Sequence, residues 1–298
     1  MSVQWDDLRI FLAVARAGGL TGAGNLLRVD PATVGRRITR LEEALEAPLF
    51  ARSPQGYALT ERGQRLLTEA VRVEQAMDAA LETVGSPSGG LSGQIRIGAP
   101  DGCANYVLPQ VCAKIVEDNP DLEVQIVALP RVFNLSRREA DMAVGVSRPT
   151  TGRLTVQKIS DYHLHLAASE SYLAQHPPIQ SLADLKGHRM VGYIPDMIFD
   201  KELDYLTELG VDRVSLGSNS VSVQFNWVRQ GGGVGVVHDF AIPSTTGVRR
   251  ILPELISLKR GFYLIRHADD RRLERMNRFA KLVAEGVRNE IARLEASA

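Results

Sequence analysis

The sequence predicts an α+β chain with more than one domain: a helical N-terminal part, a long connecting helix and a C-terminal α/β part. Short helical patterns separated by glycine and proline continue to about Thr60, and one helical pattern without proline covers 61–84. Residues 85–90 read Gly-Ser-Pro-Ser-Gly-Gly, a composition typical of a linker. From Leu91 onward, short β-rich runs alternate with helical segments, as in an α/β sheet domain. A chain of 298 residues has room for roughly two domains.

The charge balance excludes a polycationic protein. The 35 lysine and arginine residues are offset by 35 aspartate and glutamate residues, so the formal net charge is zero. A nucleic-acid partner would therefore have to recognise a local cluster of charge. The segment 28–40 supplies such a cluster, because it holds four arginines and a single acidic residue, Asp30.

Neither a membrane span nor a secretory signal is expected. The sequence has no run of about 18 apolar residues, and its first seven residues are acidic instead of basic. We therefore expect a cytoplasmic protein. The two cysteines are too few for a disulfide framework or a four-ligand zinc site. Cys112 is expected in the core, whereas Cys103 is expected in a loop, where a reactive thiol is one alternative.

The first three helices follow from apolar spacing and from capping residues. Residues 5–16 place their apolar side chains on one helical face, and Gly18-Gly19 ends that helix. Thr21 is predicted to cap a second helix. Asp30 is predicted to cap a third helix with Pro31 in its first position, where the missing N–H costs nothing.

The third helix presents a polar and basic face. Its apolar stripe consists of residues 34, 38, 41 and 45, and the side chains off that stripe are Thr33, Arg36, Arg37 and Arg40. Two helices joined by a tight turn, with small and basic residues at the start of the second, follow the helix-turn-helix plan for entering a major groove of DNA. The alternative is an ordinary solvated charged face.

A small hairpin is predicted after the third helix. Two short apolar runs flank the turn Ser53-Pro54-Gln55-Gly56, which would place Arg52 near a backbone phosphate of bound DNA. Thr60 is predicted to cap the long helix that follows.

The long helix carries a heptad-like seam. Apolar and small residues recur at alternating steps of four and three. Two interpretations stay open: the helix pairs with a second copy of the chain, or it packs on its own domain. The residues predicted to pair two chains are Leu67, Ala70, Met77, Leu81 and Val84.

The C-terminal part predicts two βαβ units that form two lobes with a crevice between them. Strands are predicted at 94–98, 122–129, 140–146, 162–167, 189–193, 214–216, 234–237 and 262–265, with helices at 104–119 and 271–294. Open α/β sheets bind ligands at the carboxyl ends of their strands. The residues at those positions are Asp101, Cys103, Asn105, Arg131, Phe133, Ser147, Arg148, Tyr193, Ser218, Asn219 and Ser220.

The last three of these residues precede a helix, where they could hold a carboxylate or merely cap that helix. Other constellations predict no chemistry. The glycine run 231–235 follows a helix and precedes a strand, the reverse of a phosphate-binding loop. His163 and His165 are expected on the outer face of a strand without a third metal ligand. No serine lies in a nucleophile-elbow pattern, so neither an enzyme nor a cofactor is expected.

A long ordered pattern runs from the second helix to the start of the long helix. It consists of Thr21-Gly22-Ala23, Leu27, Val29-Asp30-Pro31-Ala32-Thr33-Val34, Arg36, Ile38, Leu41-Glu42, Leu45, Pro48-Leu49-Phe50-Ala51-Arg52 and Leu59-Thr60-Glu61-Arg62-Gly63. This pattern resembles the winged helix-turn-helix signature of the LysR-type transcriptional regulators. Gly24 departs from it where alanine is usual, and Asp30 and Gly35 depart where serine is common.

The resemblance implies roles for the N-terminal residues. Pro31, Ala32, Thr33 and Arg36 would approach base edges of double-stranded promoter DNA. Arg37, Arg40 and Arg52 would contact phosphates, and Thr21 would lie at the same surface.

The resemblance also implies the layout of the rest of the chain. The expected domains are 1–60 for DNA binding, 61–90 for a dimerisation helix and hinge, and 91–298 for a two-lobed domain like periplasmic solute-binding proteins. Lobe 1 would cover about 91–160 plus 267–298, and lobe 2 about 161–266. The implied partners are a small-molecule effector in the crevice, further copies of the chain as homodimer and homotetramer, and RNA polymerase. The alternative from the residues alone is a solute-binding or enzymatic α/β protein with a helical interaction module.

Asp101 departs from the family, which often has serine or threonine at that place. An acid there disfavours a simple carboxylate effector unless Arg131 or Arg148 offsets it. A ligand carrying both an amine and an acid would fit.

Overall fold

The structure is a computed structural model, and it describes residues 3–53, 56–85, 90–128, 140–150, 152–211, 213–268, 270 and 273–298. The chain divides into two compact units. The first comprises Met1–Gly89 with Asp269–Glu274, and the second comprises Gly90–Ala268 with Arg275–Ala298.

The first unit is a helical domain with a small hairpin. Gly18 ends α1 with φ 68°, a left-handed conformation that glycine adopts without strain. Its elements are α1 (Trp5–Ala17), α2 (Leu20–Leu27), α3 (Pro31–Ala44), the antiparallel hairpin β1 (Phe50–Ser53) and β2 (Gly56–Leu59), and α4 (Glu61–Gly85).

Two of the three predicted helix caps are confirmed. The Asp30 carboxylate accepts hydrogen bonds from the backbone N–H groups of Ala32, at 2.9 Å, and Thr33. The Thr60 hydroxyl accepts one from the N–H of Gly63 at 3.0 Å. The prediction for Thr21 is wrong, because α2 begins one residue earlier at Leu20 with Gly19 as its N-cap.

The first half of α4 packs on its own domain. Leu67 and Ala70 are buried in the core that α1 and α3 build, next to Phe11, Ile38 and Phe50. The predicted pairing role of Leu67 and Ala70 is therefore corrected, since side chains buried inside one chain are not available to a second copy. Leu45, predicted in the apolar stripe of α3, is exposed at the end of that helix.

Gly63 sets how closely α4 approaches the hairpin. A Cβ atom at this position would overlap the carbonyl group of Leu49. Glycine is thus required by a close approach of two backbones, a reason that helix periodicity does not contain.

The second unit is built on one sheet with two parallel halves. The strand order is β4-β3-β5-β11-β6-β9-β7-β8, and β10 pairs with β6. Neighbours within β4-β3-β5 and within β9-β7-β8 are parallel, whereas β11 and β6 in the middle are antiparallel. The strands are β3 (Gly93–Ala99), β4 (Leu122–Ala128), β5 (Met142–Gly145), β6 (Leu154–Ser169), β7 (Met190–Gly192), β8 (Leu216–Gly217), β9 (Val234–His238), β10 (Val248–Arg250) and β11 (Leu258–His267).

The two central strands are longer than predicted. β6 was expected over 162–167 and β11 over 262–265, but they pair from Leu154 to Leu164 against His267 to Leu258. The extra residues include exposed polar side chains such as Gln157 and Lys158, which give no apolar run for a sequence pattern to detect. Pairing between the two strands, and not local hydrophobicity, extends them.

One predicted helix of the second unit is divided in two in the structure, and several short helices are present that the sequence analysis does not predict. The expected loop 99–103 and helix 104–119 are instead α5 (Asp101–Tyr106) and α6 (Leu108–Glu117). The break falls at Val107, just before Pro109, which takes a place in the first turn of α6, where no N–H is needed. The remaining helices are α7 (Glu170–Gln175), α8 (Tyr205–Glu208), α9 (Val221–Arg229) and α10 (Glu274–Glu295), with 3-10 turns at Leu182–Gly187, Pro195–Met197, Lys201–Leu203 and Asp239–Ser244.

We predict that Gly63→Ala lowers the unfolding free energy of the first unit by roughly 1–3 kcal/mol, because the added methyl group overpacks the contact with Leu49. The loss is expected although alanine is a better helix former than glycine. The control is Gly35→Ala on α3, whose Cβ atom meets only the end of the flexible Leu20 side chain. Urea unfolding followed through Trp5 fluorescence in a Trp227→Phe background measures both. A Gly63→Ala chain as stable as the parent would contradict the steric argument.

Candidate functional site

The start of α3 forms an exposed surface on the first unit. Ala32 and Arg36 are exposed, and Pro31 and Thr33 are half-buried. The Arg36 guanidinium donates a hydrogen bond to the Thr33 hydroxyl at 2.9 Å, which orients it along the helix. Four residues predicted to approach base edges therefore lie together at one helix start.

The other two arginines of α3 are held by acidic residues of α1. Arg37 pairs with Asp6, and Arg40 binds the nearly inaccessible Asp7 carboxylate through its Nε atom at 2.9 Å. The hydrogen bond that Arg40 donates to Asp7 also raises the pKa of Arg40. The expectation that three arginines of α3 face outward is met in full by Arg36, which is exposed, whereas Arg37 and Arg40 are half-buried.

The hairpin and the end of α4 are described only in part. Arg52 lies in β1, opposite Tyr57, but its side chain is outside the described residues. Further along α4, Glu74 pairs with Arg16 of α1 at 2.6 Å, and Met77 is 47% exposed. The side chains of Leu81 and Val84 are also outside the described residues.

In the second unit, the carboxylate of Asp101 joins two segments that are far apart in sequence. One of its oxygens accepts hydrogen bonds from the Ser220 hydroxyl at 3.0 Å and from the backbone N–H of Ser222 at 2.8 Å. The other oxygen accepts one from the Asn105 amide at 3.2 Å. Because Ser222 lies in the first turn of α9, a carboxylate from α5 occupies the N-terminus of a helix 121 positions further along the chain.

The residues around Ser220 act as a cap. The Ser220 hydroxyl accepts from the N–H of Val223 at 3.3 Å, and the Ser218 hydroxyl accepts from the N–H of Ser220 at 3.1 Å. Asn219 borders the crevice next to Asp101. The capping interpretation of this trio is confirmed. The carboxylate that it binds here is that of Asp101, and the binding of a ligand carboxylate stays a prediction.

The rings of aromatic side chains and of a histidine fill most of the crevice beside Asp101. Tyr162 stacks on Phe262, with ring centroids 4.2 Å apart, and on His238 at 5.4 Å. The free volume that remains is about 10 Å³, about that of one water molecule. Among the described residues, Nδ1 of His238 has no hydrogen-bond partner.

Cys103 is not a reactive thiol in a loop. It lies on α5 and is completely buried, and burial raises the pKa of its thiol well above the usual range. A thiol that stays protonated is a poor nucleophile. Burial also raises the pKa of Cys112, to about 11.

Not all predicted crevice residues reach Asp101. The Ser147 hydroxyl donates to the Asp200 carboxylate instead. The Arg148 guanidinium stands over the ring of Tyr263 at 5.4 Å, so its described contact is with that ring. Tyr193 is buried at the crevice wall. Arg131 and Phe133 lie outside the described residues.

A larger cavity of about 300 Å³ adjoins the crevice in the second unit. It lies between β7, β9 and the segment 193–214, and it shares Tyr193 and Leu203 with the crevice. Sequence reasoning missed Tyr162, Tyr205 and His238, because their segments carry no motif. The rule of carboxyl strand ends could have found His238, which directly follows the strand predicted at 234–237.

The described residues hold no group of three or more metal-ligating side chains. His165 is not on an outer face as expected, because its ring is buried against Asp239 at 2.8 Å. His163 contacts Glu295 at 2.9 Å. In the part of the chain described here, no helix is long and apolar enough to cross a membrane.

We predict that His238 makes the second unit acid-sensitive. Burial lowers its folded-state pKa from 6.5 to about 3, so between these values the unfolded chain binds a proton that the folded chain does not. Stability is full above pH 6.5 and falls as the pH drops, by about 2 kcal/mol at pH 5. The His238→Phe variant should not show this part of the loss in unfolding free energy. Urea unfolding at pH 7 and at pH 5, followed through Trp227 fluorescence in a Trp5→Phe background, measures the loss in both chains. Equal losses in parent and variant would refute the assignment.

The comparisons with known proteins agree with this architecture. Residues 5–64 match the family model "Bacterial regulatory helix-turn-helix protein, lysR family", and residues 88–288 match "LysR substrate binding domain". The chain is 28% identical over 242 residues to the HTH-type transcriptional regulator PtxR of Pseudomonas aeruginosa, covering 80% of this chain and 77% of PtxR.

Two solved structures share the fold of the whole chain. The LysR-type transcriptional regulator CrgA of Neisseria meningitidis has a TM-score of 0.59 at 22% identity, covering 96% of this chain and 99% of that one. ArgP of Mycobacterium tuberculosis has a TM-score of 0.69 at 18% identity, covering 96% and 98%. Matches to both family models, which together span most of its length, show that the chain belongs to the LysR family of transcriptional regulators and is not an enzyme.

Proposed function

We propose that this chain is a small-molecule-responsive regulator that binds promoter DNA through residues 1–60 and an effector through residues 91–298. The observation that carries the DNA-binding part is the exposed start of α3, where Arg36 lies beside Ala32 and Thr33 and pairs with no acidic side chain among the described residues. A helix start with small residues and one free arginine suits entry into a major groove.

Arg36 is proposed to read a base edge, together with Pro31, Ala32 and Thr33. Arg37, Arg40 and Arg52 are proposed to contact phosphates, and Thr21, exposed at the start of α2, lies close enough in sequence to join them. Asp6 and Asp7 compete with phosphates for Arg37 and Arg40. These two arginines therefore contribute a smaller electrostatic attraction than their formal charges suggest, and their fixed orientation favours one docking geometry.

The effector is proposed to act on the contact between the two lobes. The support is a pair of hydrogen bonds that Ser220 and Ser222, in the segment 161–266, donate to the carboxylate of Asp101, in the segment 91–160. A ligand that favours one lobe arrangement over another would shift the population of DNA-binding geometries by its differential affinity.

Self-association is proposed to use the distal half of the 61–90 segment. Met77 is exposed there, and Leu81 and Val84 continue the same heptad spacing. Pairing would double the exposed arginine surface, and a homotetramer is the proposed larger assembly. RNA polymerase is a proposed further partner, and the cytoplasm, where promoter DNA lies, is the proposed location.

We predict that Arg36→Ala lowers the discrimination between a selected site and random duplex by about 1–3 kcal/mol. The site is the duplex that the parent chain selects from a random-sequence library, and fluorescence anisotropy measures both affinities. The matched control is Arg65→Ala on α4, an exposed arginine paired only with Glu61, which should leave discrimination unchanged.

The salt dependence of the same titrations tests DNA binding itself. Phosphate contacts release counterions, so the affinity of the parent chain should fall steeply with rising salt. Binding that does not depend on salt would contradict the proposed function. Unchanged discrimination in Arg36→Ala would remove Arg36 from the base-reading set.

A further inference from the structure

The anion position of the crevice is occupied by the chain itself. The N-terminus of α9 has two hydrogen-bond donors, the backbone N–H of Ser222 and the hydroxyl of Ser220, which a ligand carboxylate would use. Both already donate to the Asp101 carboxylate, at 2.8 and 3.0 Å. A carboxylate ligand at this place would have to displace Asp101 or lie beside its charge.

The described lining of the crevice offers no cation to a second carboxylate. The described residues that line the crevice include no lysine or arginine, and its histidine, His238, is neutral because burial lowers its pKa to about 3. Placing a ligand carboxylate next to Asp101 would therefore add like-charge repulsion to the cost of desolvation. The free volume of about 10 Å³ also excludes anything larger than one water molecule.

The adjoining cavity has the opposite character. Its volume of about 300 Å³ is at the lower end of the range for small-molecule sites. Most of its described lining residues are aliphatic or aromatic, including Val191, Val214, Val236, Tyr193 and Tyr205, and Thr207 and Gln224 add uncharged polar side chains. The one acidic residue among them, Asp204, is engaged as the N-cap of α8 through the N–H of Thr207.

We propose that this cavity binds an uncharged, largely apolar molecule about the size of a substituted benzene ring, and that Asp101 excludes simple carboxylates from the crevice. The inference rests on the proposed role of the second unit as a ligand sensor and specifies the chemical class that it senses. The uncharged polar side chains of Thr207 and Gln224 in the lining give such a ligand polar partners without requiring a charge.

The cavity is connected to the bond between the lobes. Tyr193 and Leu203 line both the cavity and the crevice. Leu203 ends the 3-10 turn whose N-cap, Asp200, accepts a hydrogen bond from Ser147 of lobe 1. A ligand that moves this segment therefore acts on a second contact between the lobes as well as on the crevice wall.

The test uses a matched pair of probes, 4-fluorobenzyl alcohol and 4-fluorobenzoate, with binding to the full chain followed by broadening of the ¹⁹F signal. We expect the parent chain to broaden the alcohol signal several-fold and to leave the benzoate signal unchanged. Val214→Phe and Val211→Phe, which fill the cavity from two half-buried positions, should each abolish the broadening. Leu182→Phe, an exposed apolar position of the same lobe, should retain it.

Asp101 variants test the second half of the proposal. Asp101→Ser vacates the α9 N-terminus beside the cavity, so a benzoate whose ring lies in the cavity should gain donors for its carboxylate, and benzoate broadening should appear. Asp101→Asn keeps an oxygen acceptor at the same place, so benzoate should still be excluded.

Three outcomes would overturn the proposal: benzoate broadening by the parent chain, alcohol broadening that persists in both filled variants, or no alcohol broadening at all. Salt-dependent DNA binding of the same preparation is measured in parallel. If it persists while the probe experiment fails, the cavity assignment is wrong and the regulator assignment stands.

Discussion

The antiparallel pairing of β6 with β11 is the interaction on which the second unit depends. It lies between two parallel halves whose strands do not pair with one another, so the register of this pair fixes how both halves are placed. The register shifts once, between Phe262 and Tyr263, and such a bulge redirects side chains. Phe262 and Tyr162 stack at this point and form the floor of the crevice. The site is thus a direct consequence of how the central strands pair.

In each unit, one buried or half-buried carboxylate is bound by other groups of the same chain. Asp101 is held by Ser220 and the first turn of α9, and Asp7 is held beneath Arg40. Each of these carboxylates sits where an external anion or a phosphate contact would otherwise be expected. An internal partner of this kind orients the donor groups around it before any ligand binds. It also restricts which ligands can bind to those donors, because a ligand has to displace the internal carboxylate.

Net neutrality consequently says little about DNA binding. Asp6 and Asp7 offset part of the positive charge of the segment 28–40, because they pair with Arg37 and Arg40. The exposed basic surface that remains is small and is centred on Arg36. In the proposed function, such a surface would rely on base contacts and on a second copy of the chain more than on long-range attraction. This view agrees with an exposed Met77 beyond the half of α4 that packs on its own domain.

The sequence by itself determined the local features. Asp30-Pro31 and Thr60 cap their helices because capping depends on a few neighbouring residues, and the parallel strands β3 and β9 follow from buried apolar runs. The family pattern also lies in local order. Only the tertiary structure decided what depends on distant partners: the burial of Leu67 and Ala70, the length of β6 and β11, the ion pairs of Arg37 and Arg40, and the Asp101 contact with α9. The ion pairs and hydrogen bonds among these features join residues from 31 to 121 positions apart, and no periodicity or spacing along the chain encodes which distant backbone or charge a side chain will meet.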